Sequence, residues 1–116
     1  MNRKYSLKRN HDIEILVKLR QSVGNKSYTV YYAYQDDAEC KIAISVSKKF
    51  GNAVARNYGK RVVREIIRDF LPNLEHLKCL IVIKKDCENK SYIYRKEQLI
   101  YLLKKIIKNK EKTNNG

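Results

Sequence analysis

Between positions 48 and 68 the chain reads KKFGNAVARNYGKRVVREIIR, in which Lys48, Lys49, Arg56, Lys60, Arg61, Arg64 and Arg68 face a single acid, Glu65. Like charges this close repel one another, so the segment is poorly suited to stabilising itself. It is well suited to holding phosphate oxygens, which a guanidinium fork meets two at a time. The alternative is a solvated charged face with no partner. Other chemistries are thinly supplied. Cys40, Cys79 and Cys87 make an odd number whose spacings fit neither a zinc site nor a paired framework, and they read as buried, reduced thiols. His11 and His76 stand far apart and read as surface or packing residues, and neither a Gly-rich phosphate loop nor a G-x-S-x-G turn occurs. A metal-dependent nuclease needs clustered carboxylates. Asp36, Asp37 and Asp86 are the one candidate set, and they read as turn residues.

The rest of the chain raises the odds of an anionic partner. Its 116 residues suit one domain, expected over residues 1–108 with a disordered tail at 109–116, and a hydrophobic share of 43% suffices for a core. The 26 Lys and Arg against 12 Asp and Glu leave a net charge of +14, more than solubility requires. Nucleic acid or an anionic membrane surface fits such a charge. The membrane reading lacks support, because the longest unbroken apolar run is at 79–83 and no signal-peptide core opens the chain. A cytoplasmic protein is expected.

Elements that would position the basic stretch follow from periodicity. Leu7, Ile13, Leu16 and Val17 predict a short amphipathic helix over about 10–20, closed by a turn at Gly24 and Asn25. YTVYYAY at 28–34 and KIAISVS at 41–47 read as two strands of a hairpin. In the second strand Ile42, Ile44 and Val46 alternate with Lys41, Ala43, Ser45 and Ser47, so one face is core and the other is small, polar and open. In the first, the bulkier set Tyr28, Val30, Tyr32 and Tyr34 points to the core and leaves Tyr31 on the open face. There it either stacks on an unpaired base or packs under a helix.

Gly51 and Asn52 supply a turn and an N-cap for a helix over about 53–70, stopped by Pro72. At 100° per residue, Arg56, Asn57, Lys60, Arg61, Arg64 and Arg68 share an arc of about 140°. Val54, Ala55, Tyr58, Val62, Val63, Ile66 and Phe70 fall opposite, and Ile67 lies within the basic arc. CLIVIKK at 79–85 reads as a strand buried on both faces. Leu99, Leu102, Leu103, Ile106 and Ile107 follow the spacing of a final core-facing helix, with Lys104, Lys105 and Lys108 outside. The result is a layered α+β domain.

The run SVSKKFGNAVARNYGKRVVRE at 45–65 resembles the signature of the bacterial ribonuclease P protein component, close to S-K-K-x-G-N-A-V-x-R-N-x-x-K-R-x-x-R-E. The segment SLKRNHD at 6–12 is similar to that family's R-L-K-K-N-E-D opening, and the likeness covers nearly the whole chain. The resemblance implies a two-layer α-β sandwich of about four strands and three helices, like the second domain of ribosomal protein S5. It also implies a short extra strand near 22–26 and a left-handed crossover around the basic helix. It implies a subunit of a ribonucleoprotein that removes the 5′ leader from precursor transfer RNA, with one protein per RNA. The catalytic centre and its magnesium then lie in the RNA, with no catalytic or metal-binding residue on the protein.

By the same resemblance Lys48, Lys49, Asn52, Arg56, Asn57, Lys60, Arg61, Arg64 and Arg68 meet the catalytic RNA. Ile13, Val17 and Tyr31 line a cleft for single-stranded leader nucleotides. Two departures stand out. Tyr58 occupies the place of the usual arginine, so one RNA contact is lost or replaced, and Ile13 and Val17 stand where relatives often have phenylalanine, so stacking on the leader is weaker. A ribosomal or assembly protein that binds RNA without processing it is the competing reading, and the G-N-A-V-x-R-N run argues against it.

Overall fold

The computed structural model describes residues 17, 18, 21–36 and 38–115 of the 116. The elements are β1 (Ser22–Gly24), β2 (Tyr28–Tyr34), β3 (Lys41–Val46), α1 (Ala53–Arg68), β4 (Leu77–Ile83) and α2 (Tyr92–Asn115), with 3-10 turns at Leu71–Leu74 and Lys85–Cys87. The described residues therefore form an α+β fold with a four-stranded sheet and two helices. Val17 and Lys18 are helical, while the rest of the helix expected over 10–20 lies outside the described residues.

The sheet order is β1-β2-β4-β3. The expected hairpin between residues 28–34 and 41–47 does not form. β4 lies between those strands, antiparallel to β2 from Tyr28↔Ile83 to Tyr34↔Leu77 and parallel to β3 from Lys41↔Lys78 to Val46↔Ile83. The physical reason lies in β4 itself: its continuous apolar run is the one stretch able to fill both faces of a central position. α1 then becomes the crossover that a parallel pair requires. The short extra strand is present as β1, pairing antiparallel with β2 at Ser22↔Tyr31.

Strand parity follows the alternation. Tyr28, Val30, Tyr32, Ile42, Leu77, Cys79, Ile81 and Ile83 point to one face and join Phe50, Val62, Val63, Ile66, Ile67, Leu99, Leu102, Leu103 and Ile106 in one buried cluster. The second face carries Tyr31, Ala33, Ala43, Leu80 and Val82, which form a smaller apolar cluster. It is less open than its small residues predict: Leu80 and Ala43 are buried, and Tyr31 is half-buried. Leu80, from the continuous run of β4, brings bulk that the alternation in β3 does not reveal.

α2 runs to Asn115, and Asn109 Nδ2 donates to Tyr32 Oη at 3.0 Å, tying the helix to the sheet. All three cysteines are free and buried. Cys40 and Cys79 meet on the core face, where hydrogen bonding to Cys40 and then burial push the Cys79 thiol up. Burial likewise raises Cys87. These thiols are packing groups, as their spacing suggests.

Candidate nucleic-acid interface

α1 starts where the sequence places it. Asn52 is extended and its side-chain oxygen accepts from the amide of Ala55 at 2.9 Å. Capping fixes the entry of the helix and therefore which residues face out. The buried stripe is Gly59, Val62, Val63, Ile66 and Ile67. Three expectations fail here. Ile67, assigned to the basic arc, is fully buried, while Val54 is 77% and Tyr58 49% exposed. The stripe centres near Val63, so Ile67 lies only about 40° round from its middle, and Val54, nine residues back, lies about 180° away.

The cations form the outer face. Arg56, Asn57, Arg61, Arg64 and Arg68 are exposed and Lys60 is half-buried. Arg61, Arg64, Glu65 and Arg68 line a shallow concavity of about 150 Å³. Arg61 Nε lies 3.6 Å from Glu65 Oε1, an exposed i,i+4 pair that leaves Arg64 and Arg68 with no carboxylate partner among the described residues. Exposed pairs of this kind contribute little. Lys48 and Lys49 are exposed in the turn before α1. Arg56 differs from its neighbours: its Nε donates to Phe50 O and its Nη2 to Lys48 O, both at 3.0 Å. It clamps the Lys48–Phe50 loop onto the helix, so part of its fork serves the protein's own backbone.

On the second sheet face Tyr31 pairs across the ladder with Leu80, which pairs in turn with Ala43. Thr29, Val82 and Ser45 form the next row. Half of Tyr31 thus serves packing, and the remainder is accessible. Val17 is 42% exposed, and Ile13 lies outside the described residues.

Asp36 and Asp86 do not assemble, and Asp37 lies outside the described residues. Asp36 follows one end of β2, while Asp86 follows the strand end that pairs with the other. Seven residues of strand, about 20 Å, separate them. Asp86 instead accepts from Ser27 Oγ at 2.8 Å and Tyr94 Oη at 3.2 Å. Among the described residues no group of three His, Cys, Asp or Glu is placed to hold a metal, and no helix is long and apolar enough to cross a membrane.

One cluster has no counterpart in the sequence pattern. Arg95, in the first turn of α2, is 5% exposed and lies with its guanidinium carbon 5.9 Å from the Phe50 ring centroid and 5.3 Å from that of Tyr58. Y-I-Y-R-K-E reads like the start of any amphipathic helix, and only the tertiary packing of α1 on α2 brings Arg95 to Tyr58.

Comparison with known proteins agrees with this arrangement. A sequence model of the ribonuclease P family matches residues 1–107. The ribonuclease P protein component of Streptococcus gordonii is 32% identical over 104 residues, covering 90% of this chain and 87% of that protein. The corresponding protein of Acholeplasma laidlawii is 34% identical over 104 residues, covering 89% and 90%. Among solved structures, the ribonuclease P protein of Staphylococcus aureus superposes with a TM-score of 0.81 at 29% identity, covering 86% of this chain and 93% of that one. The Thermotoga maritima protein gives 0.77 at 27% identity, covering 86% and 96%. This chain belongs to the ribonuclease P protein component family.

Proposed function

We propose that the chain is the protein subunit of ribonuclease P, acting with a catalytic RNA to remove the 5′ leader from precursor transfer RNA and leave the mature 5′ end. The observation that carries this reading is the exposed, one-signed face of α1, mounted on the buried stripe of a family member. Lys48, Lys49, Asn57, Lys60, Arg61, Arg64 and Arg68 take RNA phosphates. Asn52 shapes the start of that face and Arg56 divides its donors between loop and RNA. The magnesium that supports hydrolysis is held by the RNA, and the protein contributes by neutralising phosphates where catalytic RNA and substrate approach, so that less metal is needed to screen them.

Tyr31, together with Ile13 and Val17, holds leader nucleotides, with Tyr31 presented on the second sheet face. Those contacts exist only for the precursor, so they favour precursor over product. One protein acts per RNA. The test is reconstitution at low magnesium with purified protein, its partner RNA and a 5′-labelled precursor, omitting each component in turn. Cleavage at the mature 5′ end that needs the RNA and is strongly stimulated by the protein is the expected result. Tight RNA binding without stimulation would assign the chain to RNA assembly, and cleavage by protein alone would place the chemistry on the protein.

A further inference from the structure

Glu88 is an acid set among cations, and phosphate binding gives it no use. It lines a cleft of about 360 Å³ at the start of α1, together with Phe50, Gly51, Asn52, Tyr58 and Asn89. That volume falls in the range of small-ligand sites, about 300 to 1,000 Å³. The half-buried Glu88 carboxylate makes no ion pair and accepts no hydrogen bond among the described residues, although Lys48 and Lys49 immediately precede Phe50 in the chain. A carboxylate repels every phosphate that approaches it, so its use beside a polyanion is to accept from the donors of a base.

The loop that carries Glu88 is fixed by its own backbone. Glu88 N donates to Lys85 O at 2.9 Å and Lys90 N to Cys87 O at 3.1 Å, while the buried Cys87 thiol donates to Ser27 O at 3.3 Å. Arg95 Nε donates to Lys90 O at 3.1 Å, fastening the loop to α2. Asn89 is exposed and sits at φ 68°, the left-handed conformation that asparagine tolerates better than most residues. Gly51 lets the carboxylate come close, since a Cβ there would stand 2.9 Å from Glu88 Oε1. Tyr58 adds an aromatic wall. Its ring is half exposed, and the buried Arg95 guanidinium braces it, with its carbon 5.3 Å from the Tyr58 centroid and 5.9 Å from that of Phe50.

We propose that this cleft takes an unpaired guanine base, with Glu88 accepting from its N1–H and N2–H₂ groups, Tyr58 stacking on its face and the Asn89 amide meeting its remaining edge. Guanine presents two adjacent donors to the carboxylate fork. Cytosine and adenine present one amino group beside an acceptor, and uracil one N–H between two carbonyl oxygens that the carboxylate repels. A guanine in the partner RNA and a free guanine nucleotide share that donor edge. The RNA source rests on the function proposed above, whereas base recognition itself does not.

The experiment measures binding of short single-stranded uridine oligomers whose central residue is replaced in turn by guanosine, adenosine or cytidine. Wild type is expected to bind the guanosine oligomer about tenfold tighter than the rest. Glu88→Gln is expected to lose that preference while binding the all-uridine oligomer as well or better, because a repelling charge is gone, a pattern that unfolding cannot mimic. Tyr58→Leu, which keeps an apolar wall, is expected to weaken the guanosine oligomer by about tenfold. Equal affinities in the wild type overturn the site, and so does a guanosine preference that survives Glu88→Gln, which belongs to another surface. Guanosine monophosphate and the partner RNA then separate the two sources. Weaker partner-RNA binding by Glu88→Gln identifies a guanine of that RNA, and competition by guanosine monophosphate with partner-RNA binding unchanged identifies the free nucleotide. Guanosine preference without stimulated cleavage on reconstitution keeps the site and removes the processing function; stimulated cleavage without the preference does the reverse.

Discussion

Individual cations on this surface have unequal duties, and the difference can be measured. Arg64 is exposed and has no intramolecular partner among the described residues, whereas Arg56 holds two backbone carbonyls. Arg64→Ala is expected to leave thermal stability unchanged and to reduce the salt slope of RNA binding by about 0.7 to 0.9, the share of one phosphate contact. Arg56→Ala is expected to lower stability by about 1 to 2 kcal/mol as the Lys48–Phe50 loop loses its clamp. An unchanged slope for Arg64→Ala would remove it from the interface, and an unchanged melting temperature for Arg56→Ala would deny the clamp. Tyr31 also has two duties, packing on Leu80 and presenting a ring. Tyr31→Ala should weaken precursor binding by about 1 to 3 kcal/mol and spare mature transfer RNA. Tyr31→Leu, which keeps the apolar contact, should lose nearly as much if stacking is the cause. Equal losses for precursor and product would refute the leader role.

At the level of elements, local rules carried far and pairing rules did not. The Asn52 cap, the α1 boundaries and the parity of β2 and β3 all follow from spacing over a few residues. Strand order did not, because two neighbouring strands in sequence look like a hairpin until the apolar run of β4 is seen to need the centre. Arg95 was invisible for the same reason: its partners Phe50 and Tyr58 lie on another element. The junction of β1, β2 and α2 was equally hidden. Asn25 Oδ1 accepts from the amides of Ser27 and Tyr28, Asn25 Nδ2 donates to Gln98 O, and buried Ser27 donates to Asp86. The Ser27 hydroxyl, then Tyr94 and the charges of Lys90 and Lys26, hold the Asp86 carboxyl below its usual value. The unfolded chain therefore binds the proton first as pH falls, so the contribution is complete above about pH 3.9 and is lost as pH drops through the lower folded value. Melting curves for the wild type and Asp86→Asn should differ most above that pH and converge in stronger acid. A gap that stays constant with pH would mean that Asp86 acts through shape rather than charge.

For the molecule as a whole, a charge of +14 is a liability in isolation and an asset on RNA. The ion pairs among the described residues, Lys41 to Glu39 at 3.8 Å and Arg61 to Glu65 at 3.6 Å, are surface contacts that offset little of it. Folding brings the α1 cations onto one face, and the closest compensation within the helix is Glu65. Stability and binding should then respond to salt with opposite signs. Raising monovalent salt from about 50 to 200 mM screens repulsion among exposed cations and should raise the melting temperature of the free protein. Over the same range RNA affinity should fall by about two orders of magnitude if five α1 cations each displace a counterion. Thermal melts and binding titrations in one buffer series would test both limbs. A melting temperature that falls with salt would mean that attractive pairs outweigh the repulsion, and the basic face would then be a stabilising feature of the fold. A flat binding curve would mean that shape, rather than phosphate neutralisation, carries recognition.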